Sequence, residues 1–355
     1  MADENRIKMY IDDKEKKEGI AVTSKDVIQL DAPEVLLSPD TPLLTNAQDV
    51  AGAINELFKE GGGGGDDDDD WTPPEWWLKV PDPGAYEMCF LIEMQDCTNS
   101  WRNTLTFRVC EPSEPNEYGW GPLTINWGDG TGDTWKGYEA GDPWRMPSHT
   151  YTSNGQFIVR IFATNRSCFL QEILPNGTYY SLVLIAKLGS ECVVNVEDEY
   201  KDRRAFNGQY HLNYVKLSGK NGLSVEGLFA GCRALKKIDI DIPPKIIPKS
   251  VFSGCYNLKK FDFSKVEEIK EYSLENSGII KLDLPKCTSI GNGAMFNCTR
   301  LREVNAPMCT TVGSQAFSQN YGLDRAYFSA GCKFGSDCFY DCSSLFPRPD
   351  KSIDK

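Results

Sequence analysis

Residues 252–263 read FSGCYNLKKFDF, and variants of this unit recur through the C-terminal part of the chain. A second apolar residue stands five positions before the large apolar residue that opens most units, and a third, usually leucine, follows six positions after it. Self-similarity at a fixed period of this size predicts a solenoid of stacked coils. Such a fold offers an extended surface for binding rather than a pocket for catalysis. The opening residues lie 23, 23, 22, 21, 22 and 22 positions apart and are Phe206, Phe229, Phe252, Leu274, Met295, Phe317 and Phe339.

The stretch L-x-x-I-x-I inside each unit predicts a short strand, and stacked units then form a parallel sheet. Residues between the apolar positions point to solvent and align in columns. The columns either neutralise each other through ion pairs worth about 0.2–1 kcal/mol each, or form a polar face that binds a host glycan or protein. One column is Lys237, Lys260, Lys281, Glu303 and Arg325, and its neighbour is Asp239, Asp262, Asp283, Asn305 and Tyr327. The candidate binding residues are Lys237, Asp239, Lys260, Asp262, Lys281, Asp283, Arg325 and Tyr327.

The unit F-x-x-C-x-x-L-x-x-I-x-I resembles the BspA-like leucine-rich repeat of bacterial surface proteins over nearly all of residues 200–345. One unit, LENSGIIKLDLP at 274–285, has a shortened form. The chain then ends in FPRPDKSIDK, which breaks the pattern with prolines and charges and is expected to cap the solenoid. The resemblance implies a role in surface attachment.

The thirteen cysteines are predicted to be buried thiols rather than disulfides or metal ligands. Cysteine in register with a repeat behaves as a small hydrophobic residue, and no CxxC pair or Cys/His cluster has zinc spacing. The two histidines, His149 and His211, have no nucleophile motif beside them. We therefore expect no metal, no cofactor and no catalytic residue. The in-register cysteines are Cys232, Cys255, Cys298 and Cys342.

Residues 80–199 read as several short strands between turn residues, which predicts an antiparallel β-sandwich. The strand runs are YEMCFLIEM, TLTFRVC, LTINW, QFIVRIFA and YYSLVLIA. Within them, WGDGT at 127–131 and HTY at 149–151, followed by Gly155, Phe157 and Val159, resemble the PKD-type immunoglobulin-like domain. That resemblance implies a sandwich with Trp127 in its core.

Residues 1–60 are predicted to form a small attachment segment with one helix at 46–59. The apolar stripe of this helix is too short to be buried alone, so it packs on its own domain or forms a small oligomer; the stripe includes Val50, Ile54, Leu57 and Phe58. The phrase LTNAQDVAGAINELF resembles a segment common near the N-termini of bacteriophage tail-fibre and other virion appendage proteins. This resemblance implies contacts with other virion proteins.

Residues 61–79 are predicted to be a hinge and linker. Five glycines at 61–65 give backbone freedom, and five aspartates at 66–70 repel one another and stay solvated. The following stretch WTPPEWW at 71–77 is expected to pin the linker onto the next domain.

The charge of the chain is unevenly distributed. Residues 201–355 carry 23 Lys+Arg against 16 Asp+Glu, so residues 1–200 carry 38 − 23 = 15 against 51 − 16 = 35, a net charge of −20. This acidic front argues against nucleic-acid binding. No run of eighteen apolar residues predicts a membrane span, and the charged N-terminus MADENRIKMY does not predict a secretory signal.

The predicted fold is mainly β: a small N-terminal segment with one short helix, a PKD-like β-sandwich, and a leucine-rich-repeat solenoid with a cap at 200–355. The predicted function is non-enzymatic: a phage tail or head fibre, located in the virion, that attaches to a host surface. We expect a homo-oligomer, with a trimer possible. A capsid decoration without receptor binding and a bacterial cell-surface adhesin remain the alternatives.

Overall fold

The computed structural model describes residues 7–13, 16–22, 71–95, 97, 103–110, 123–135, 147–163, 168–174, 181–194, 205–219, 222–223 and 225–350. The chain divides into two compact units, residues 1–72 and 73–355, and each is considered by itself. The described part is mainly β and contains no helix. The predicted helix at 46–59, with Val50, Ile54, Leu57 and Phe58, lies outside the described residues.

The N-terminal unit contains a β-hairpin that the sequence pattern did not lead us to predict. Strands β1 (Ile7–Asp13) and β2 (Lys16–Val22) pair antiparallel, with Ile7 opposite Val22 and Asp13 opposite Lys16. Charged residues close the hairpin, and apolar residues with period two occur only in part of each strand. The weak alternation explains why periodicity alone did not identify these strands.

Residues 73–194 form two facing sheets. The strands are β3 (Glu87–Met94), β4 (Thr104–Cys110), β5 (Leu123–Asn126), β6 (Gly132–Trp135), β7 (Ser148–Thr150), β8 (Gly155–Ala163), β9 (Cys168–Leu174), β10 (Ser181–Leu188) and β11 (Cys192–Val194). One sheet contains β10-β3-β8-β5-β6 in that order, and the other contains β11-β9-β4-β7. Every strand run expected in this region is therefore a strand in the structure.

The side chains between the two sheets follow from alternation along the strands. Phe157, Val159 and Ile161 of β8 are buried while their neighbours are half-buried, as the period of two requires. Trp127 is fully buried and its indole Nε1 donates to Asp133 Oδ2 at 2.7 Å, so its polar atom is satisfied. The Tyr151 hydroxyl donates to the Trp127 carbonyl at 2.9 Å.

The first sheet continues without a break into the repeat region. Strand β12 (Tyr214–Leu217) pairs parallel with β10, and β13 (Lys237–Ile240) pairs parallel with β12. The result is one seven-stranded sheet in the order β13-β12-β10-β3-β8-β5-β6. The buried residues of both regions also belong to one core. The predicted boundary between residues 199 and 200 lies outside the described residues.

The later repeats form two further parallel sheets. Strands β16 (Lys281–Asp283), β18 (Glu303–Ala306) and β20 (Arg325–Phe328) form a three-stranded sheet. The other sheet has five two-residue strands, whose short length suits the corners of a coil: β14 (Ile246–Ile247), β15 (Glu268–Ile269), β17 (Ser289–Ile290), β19 (Thr311–Val312) and β21 (Lys333–Phe334). The expected parallel stacking of the repeats is thus present.

One expected strand is missing. Residues 260–263 match the strand pattern but form no strand, so the long sheet ends at β13 and a new sheet begins at β16. Two features coincide with this break. Both inward positions carry phenylalanine, and the rings of Phe261 and Phe263 contact each other at 5.0 Å between centroids. The next coil is also the shortest, with 21 residues between Leu274 and Met295.

The repeating apolar residues stack along the solenoid axis as the period predicts. Phe206 stacks on Phe229 at 5.3 Å between ring centroids and Phe317 stacks on Phe339 at 5.4 Å. Backbone hydrogen bonds join the same segments: the Phe252 N–H donates to the Ser273 carbonyl at 2.8 Å. Each coil thereby satisfies backbone groups of its neighbour, which is why a coil needs a partner on both sides.

Each coil turns around its large apolar residue through two left-handed positions, two residues before and two residues after it. Only glycine, and to a smaller extent asparagine and aspartate, adopt this conformation at little cost. The positions before are Gly227, Ser250, Tyr272, Gly293, Gln315 and Asp337, and those after are Gly208, Gly231, Gly254, Asn276, Asn297, Gln319 and Asp341.

The in-register cysteines are buried thiols, as predicted, and they also act as hydrogen-bond donors. Cys255 Sγ donates to the Phe229 carbonyl at 3.2 Å, and Cys298 Sγ donates to the Leu274 carbonyl at 2.9 Å. At the same position another coil has Asn320, whose Nδ2 donates to the Met295 carbonyl at 3.0 Å. At this position cysteine and asparagine therefore act as buried hydrogen-bond donors, and the cysteines are not only small hydrophobic side chains. The cysteines whose side chains the structure describes are free thiols.

The linker after the hinge lies on the outer face of the seven-stranded sheet. Val80 is buried with Leu91 and Ile185, and Trp77 packs against the same cluster. Lys187 Nζ donates to the Val80 carbonyl at 2.8 Å. Trp77 and Val80 therefore hold the start of this unit against the outer face of the sheet.

Candidate binding face of the repeats

The two predicted columns lie side by side on the three-stranded sheet. Strand pairing places Lys281, Glu303 and Arg325 in one row. It places Asp283, Asn305 and Tyr327 in the next row. Leu282 and Val304, the residues between them, are fully buried, so the alternation fixes which side chains reach solvent.

The first column is held by ion pairs around one carboxylate. Glu303 Oε1 lies 3.3 Å from Lys281 Nζ, and Glu303 Oε2 lies 2.9 Å from Arg325 Nη2. Partial burial acts to raise the pKa of Glu303, but the bonds from Lys281 and Arg325 outweigh it and hold this pKa below its usual range. Because the lysine and the arginine are more than half exposed, each pair contributes little to stability.

The second column is joined by a charge-assisted hydrogen bond. Asn305 Nδ2 donates to Asp283 Oδ1 at 2.8 Å. The ring of Tyr327, at the end of this column, is 55 % exposed. The two columns thus satisfy much of their own polarity, while Tyr327 and the outer side of Arg325 face solvent at the last strand.

The other candidate residues lie outside this three-stranded sheet. Lys237 and Asp239 belong to β13 of the long sheet, where Asp239 Oδ2 accepts from the Tyr214 hydroxyl at 2.6 Å. Lys260 and Asp262 lie in the segment without a strand, and both are exposed. Asp262 Oδ1 accepts from the Ser264 N–H at 2.9 Å, and the two bonds from Ser264 lower the pKa of Asp262. Six of the eight candidates are therefore divided between two sheets, and Lys260 and Asp262 belong to neither.

Both columns extend one coil further toward the N-terminus than the sequence pattern predicted. Tyr214 pairs with Lys237 and Lys216 pairs with Asp239, so both columns extend into β12, and Lys187 of β10 continues the second one. Asp82 Oδ1 bridges Lys187 and Lys216 at 3.2 Å each, and hydrogen bonds from the two lysines lower the pKa of Asp82. The pattern Leu212-x-x-Val215-x-Leu217 in the first unit was the signal that could have identified β12.

The histidine of the sandwich motif has a structural environment. His149 Nε2 lies 2.7 Å from Asp129 Oδ2, and its ring stacks on Trp127 at 5.0 Å between centroids. Burial of the Asp129 carboxylate acts to raise its pKa, but hydrogen bonds from Thr131 and His149 outweigh this and lower it to about 2. The pair closes the turn at residues 128–131 rather than a pocket.

Within the described residues, no group of three or more His, Cys, Asp or Glu side chains is placed to hold a metal ion. In the same part of the chain, no helix has the length and apolar character needed to cross a membrane.

Comparison with known families identifies the repeats. Residues 225–346 match the family described as BspA type Leucine rich repeat region, in six copies. The repeat part of the chain is therefore made of BspA-type leucine-rich repeats. No curated protein matches the chain.

Three solved structures resemble about half of the chain. A leucine-rich repeat protein of T. pallidum has 22% identity and a TM-score of 0.40 over 51% of this chain and 84% of its own. One from Bacteroides ovatus has 23% identity and a TM-score of 0.38, with 51% and 48% covered. A leucine-rich cell surface protein from Faecalibacterium prausnitzii has 19% identity and a TM-score of 0.35, with 51% and 50% covered. The chain thus spans about half the length of the last two.

Proposed function

We propose that this chain is a non-enzymatic attachment protein that binds a surface protein or glycan through the exposed face of its three-stranded repeat sheet. The observation that carries the proposal is the ordered pair of columns on β16, β18 and β20, which ends in the exposed Arg325 and Tyr327. Tyrosine and arginine are the side chains enriched where proteins bind one another. Leucine-rich repeats supply such faces on a rigid stack of coils.

The order of the parts along the chain supports a role in which the repeats are the binding end. The repeats are joined to the sandwich through one continuous sheet, and the linker is pinned to that sheet by Trp77 and Val80. A force applied to the linker is therefore carried by the same sheet that holds the first repeats. This is a property that an attachment protein needs.

We further propose that the protein is a phage fibre held in the virion by its N-terminal segment. The support is the AINEL-type phrase at 52–57 and the Gly/Asp-rich run at 61–70 between the N-terminal segment and the sandwich. The PKD-type identity of the sandwich is part of the same proposal and rests on the WGDGT and HTY motifs. A bacterial cell-surface adhesin has equal support from the repeats.

The binding role is tested by reversing charge on the face in the virus or bacterium that encodes the chain. We expect the double variant Lys281→Glu with Arg325→Glu to reduce attachment of particles or cells at least tenfold, because it leaves three carboxylates in one row. The measurement is the fraction of particles or cells adsorbed to the target surface after a fixed time.

The matched control is Lys245→Glu, which breaks the exposed pair of Lys245 with Glu267 at 2.9 Å on the other side of the coil. This variant is expected to attach normally. Equal attachment by both variants and the parent chain would contradict the proposed binding face.

Labelling with an antibody to residues 73–355 decides between a phage fibre and a bacterial adhesin. Signal on purified particles supports the fibre, and signal on uninfected cells supports the adhesin.

A further inference from the structure

The two ends of the repeat stack are closed differently. At the N-terminal end, β12 pairs with β10 of the sandwich, and the Asn213 N–H donates to the Leu184 carbonyl at 2.9 Å. At the C-terminal end, β20 is the last strand of its sheet among the described residues. The residues that would begin the next strand include Pro347 and Pro349, which have no N–H to donate.

The inward side chains at this end are incompletely covered. Val304 and Ala306 of β18 are fully buried, because β20 follows them. Ala326 and Phe328 occupy the same positions in β20 but remain half-buried. Among the described residues, no further strand covers Ala326 and Phe328.

The backbone of β20 also presents unused positions at its outer edge. The Arg325 N–H donates to the Arg302 carbonyl of the preceding coil at 3.2 Å, so the N–H groups of alternate residues face β18. The N–H groups of Ala326 and Phe328 consequently face outward. In the interior coil, the equivalent Leu284 N–H donates to the Asn305 carbonyl of the following coil at 2.8 Å. An added strand would restore that bond.

The charged residues along the outer edge of β20 determine which strand can pair with it. In the preceding pair of coils, Glu303 lies opposite Arg325 and binds it. Along the outer edge, the exposed charged residues are Asp324, directly before β20, and Arg325, which pairs with Glu303 on the side of β18. A parallel strand can pair with this edge when it carries a basic residue opposite Asp324 and an acidic residue opposite Arg325. Its apolar residues must then lie over Ala326 and Phe328. In-register pairing with β20 of a second copy would oppose like charges, which is unfavourable.

We propose that the outer edge of β20 is a docking site for an extended strand of another polypeptide with this basic–acidic–apolar–polar–apolar pattern. Strand addition of this kind draws affinity from the main-chain bonds and specificity from alternate side chains. The site goes beyond the proposed function, because that function uses the exposed face of the sheet, whereas docking uses its edge. Arg325 belongs to both sites, so the edge variant Ala326→Pro separates a failure of docking from a failure of the proposed function.

The test uses the full chain and a synthetic peptide with the sequence of residues 302–308, REVNAPM, blocked at both ends and labelled. In parallel register this peptide places its arginine opposite Asp324 and its glutamate opposite Arg325. The control peptide, ERVNAPM, has the same composition with these two residues exchanged. We expect the first peptide to bind about tenfold more tightly by fluorescence anisotropy, and to slow amide exchange at Ala326 and Phe328.

Two protein variants locate the interaction. Ala326→Pro removes an outward N–H but keeps the bonds to β18, so it should abolish binding with little loss of thermal stability. The double variant Asp324→Arg with Arg325→Glu should reverse the preference between the two peptides, which remains informative if the proline variant does not fold.

Equal binding of both peptides would overturn the proposal, and so would unchanged amide exchange at Ala326 and Phe328. A concentration-dependent dimer that Ala326→Pro abolishes would also overturn it, because the partner would then be a second copy. Peptide binding only by a chain that ends at Asp350 would overturn it as well, because the chain's own last residues would then be the occupant.

Discussion

At the scale of single residues, one position of the repeat is occupied by side chains that donate a hydrogen bond. The position three residues after the large apolar residue holds Cys232, Cys255, Cys298 or Asn320, and each donates to a carbonyl of the preceding coil. The sequence showed that these cysteines are in register and buried. It did not show the bond, because the accepting carbonyl lies 24 to 26 residues away and is brought near only by coiling.

Burial of these thiols predicts a loss of stability at alkaline pH. Burial raises the pKa of Cys298 from 9.0 to about 11. Below pH 9 both the folded and the unfolded chain keep this proton, so stability is unaffected. Between pH 9 and 11 the unfolded chain releases it while the folded chain retains it, and the free energy of unfolding falls by roughly 1 kcal/mol per pH unit for each such thiol.

The measurement is the urea midpoint at pH 7.5, 9 and 10 under reducing conditions. Cys298→Ser is the control, because serine occupies the equivalent position at Ser277 and does not ionise in this range. Its free energy of unfolding should fall less steeply with pH than that of the parent chain. Parallel curves for the two proteins would show that Cys298 is not the source of the effect.

At the scale of elements, the corners of the coils are set by how closely neighbouring backbones approach. Gly291, Gly313 and Gly335 follow the short strands β17, β19 and β21 directly. A Cβ at Gly313 would lie 2.5 Å from the Asn292 backbone nitrogen. Glycine is therefore required there by packing between coils, and the sequence period alone does not reveal this.

Gly313→Ala is expected to lower the free energy of unfolding by about 1–3 kcal/mol, because the methyl group forces two coils apart. Gly331→Ala is the matched control, since a Cβ there would meet nothing within 4 Å. Loss of backbone freedom in the unfolded chain should make the control neutral or slightly stabilising. Thermal unfolding followed by circular dichroism compares them, and an equal effect of both substitutions would contradict the close approach.

At the scale of the whole molecule, residues 73–355 form one compact unit in which the sandwich closes the first coil. Val215 and Leu217 are fully buried beside the sandwich strands. We therefore expect sandwich and repeats to unfold together. In residues 73–355 every tryptophan lies between residues 76 and 144, so the tryptophan fluorescence of this part reports on the region before the repeats.

This coupling predicts that damage to the repeats is detected in the sandwich. Phe252→Ala removes a fully buried ring and should cost about 3–5 kcal/mol. In a chain of residues 73–355, the urea midpoint measured by tryptophan fluorescence should fall by the same amount as that measured by far-ultraviolet circular dichroism. A fluorescence midpoint that stays at its parent value would show two independent folding units.

The sequence by itself determined the repeats, the strands of the sandwich and the columns on the solenoid, because period, alternation and turn residues are local properties. It also placed Trp127 in the core and the cysteines in the interior. The tertiary structure alone decided that one sheet runs from the sandwich into the repeats, that the strand at 260–263 is absent, and that β20 is the last strand of its sheet among the described residues. Each of these depends on which strand lies beside which, and backbone pairing between distant segments leaves no periodic signal in the sequence.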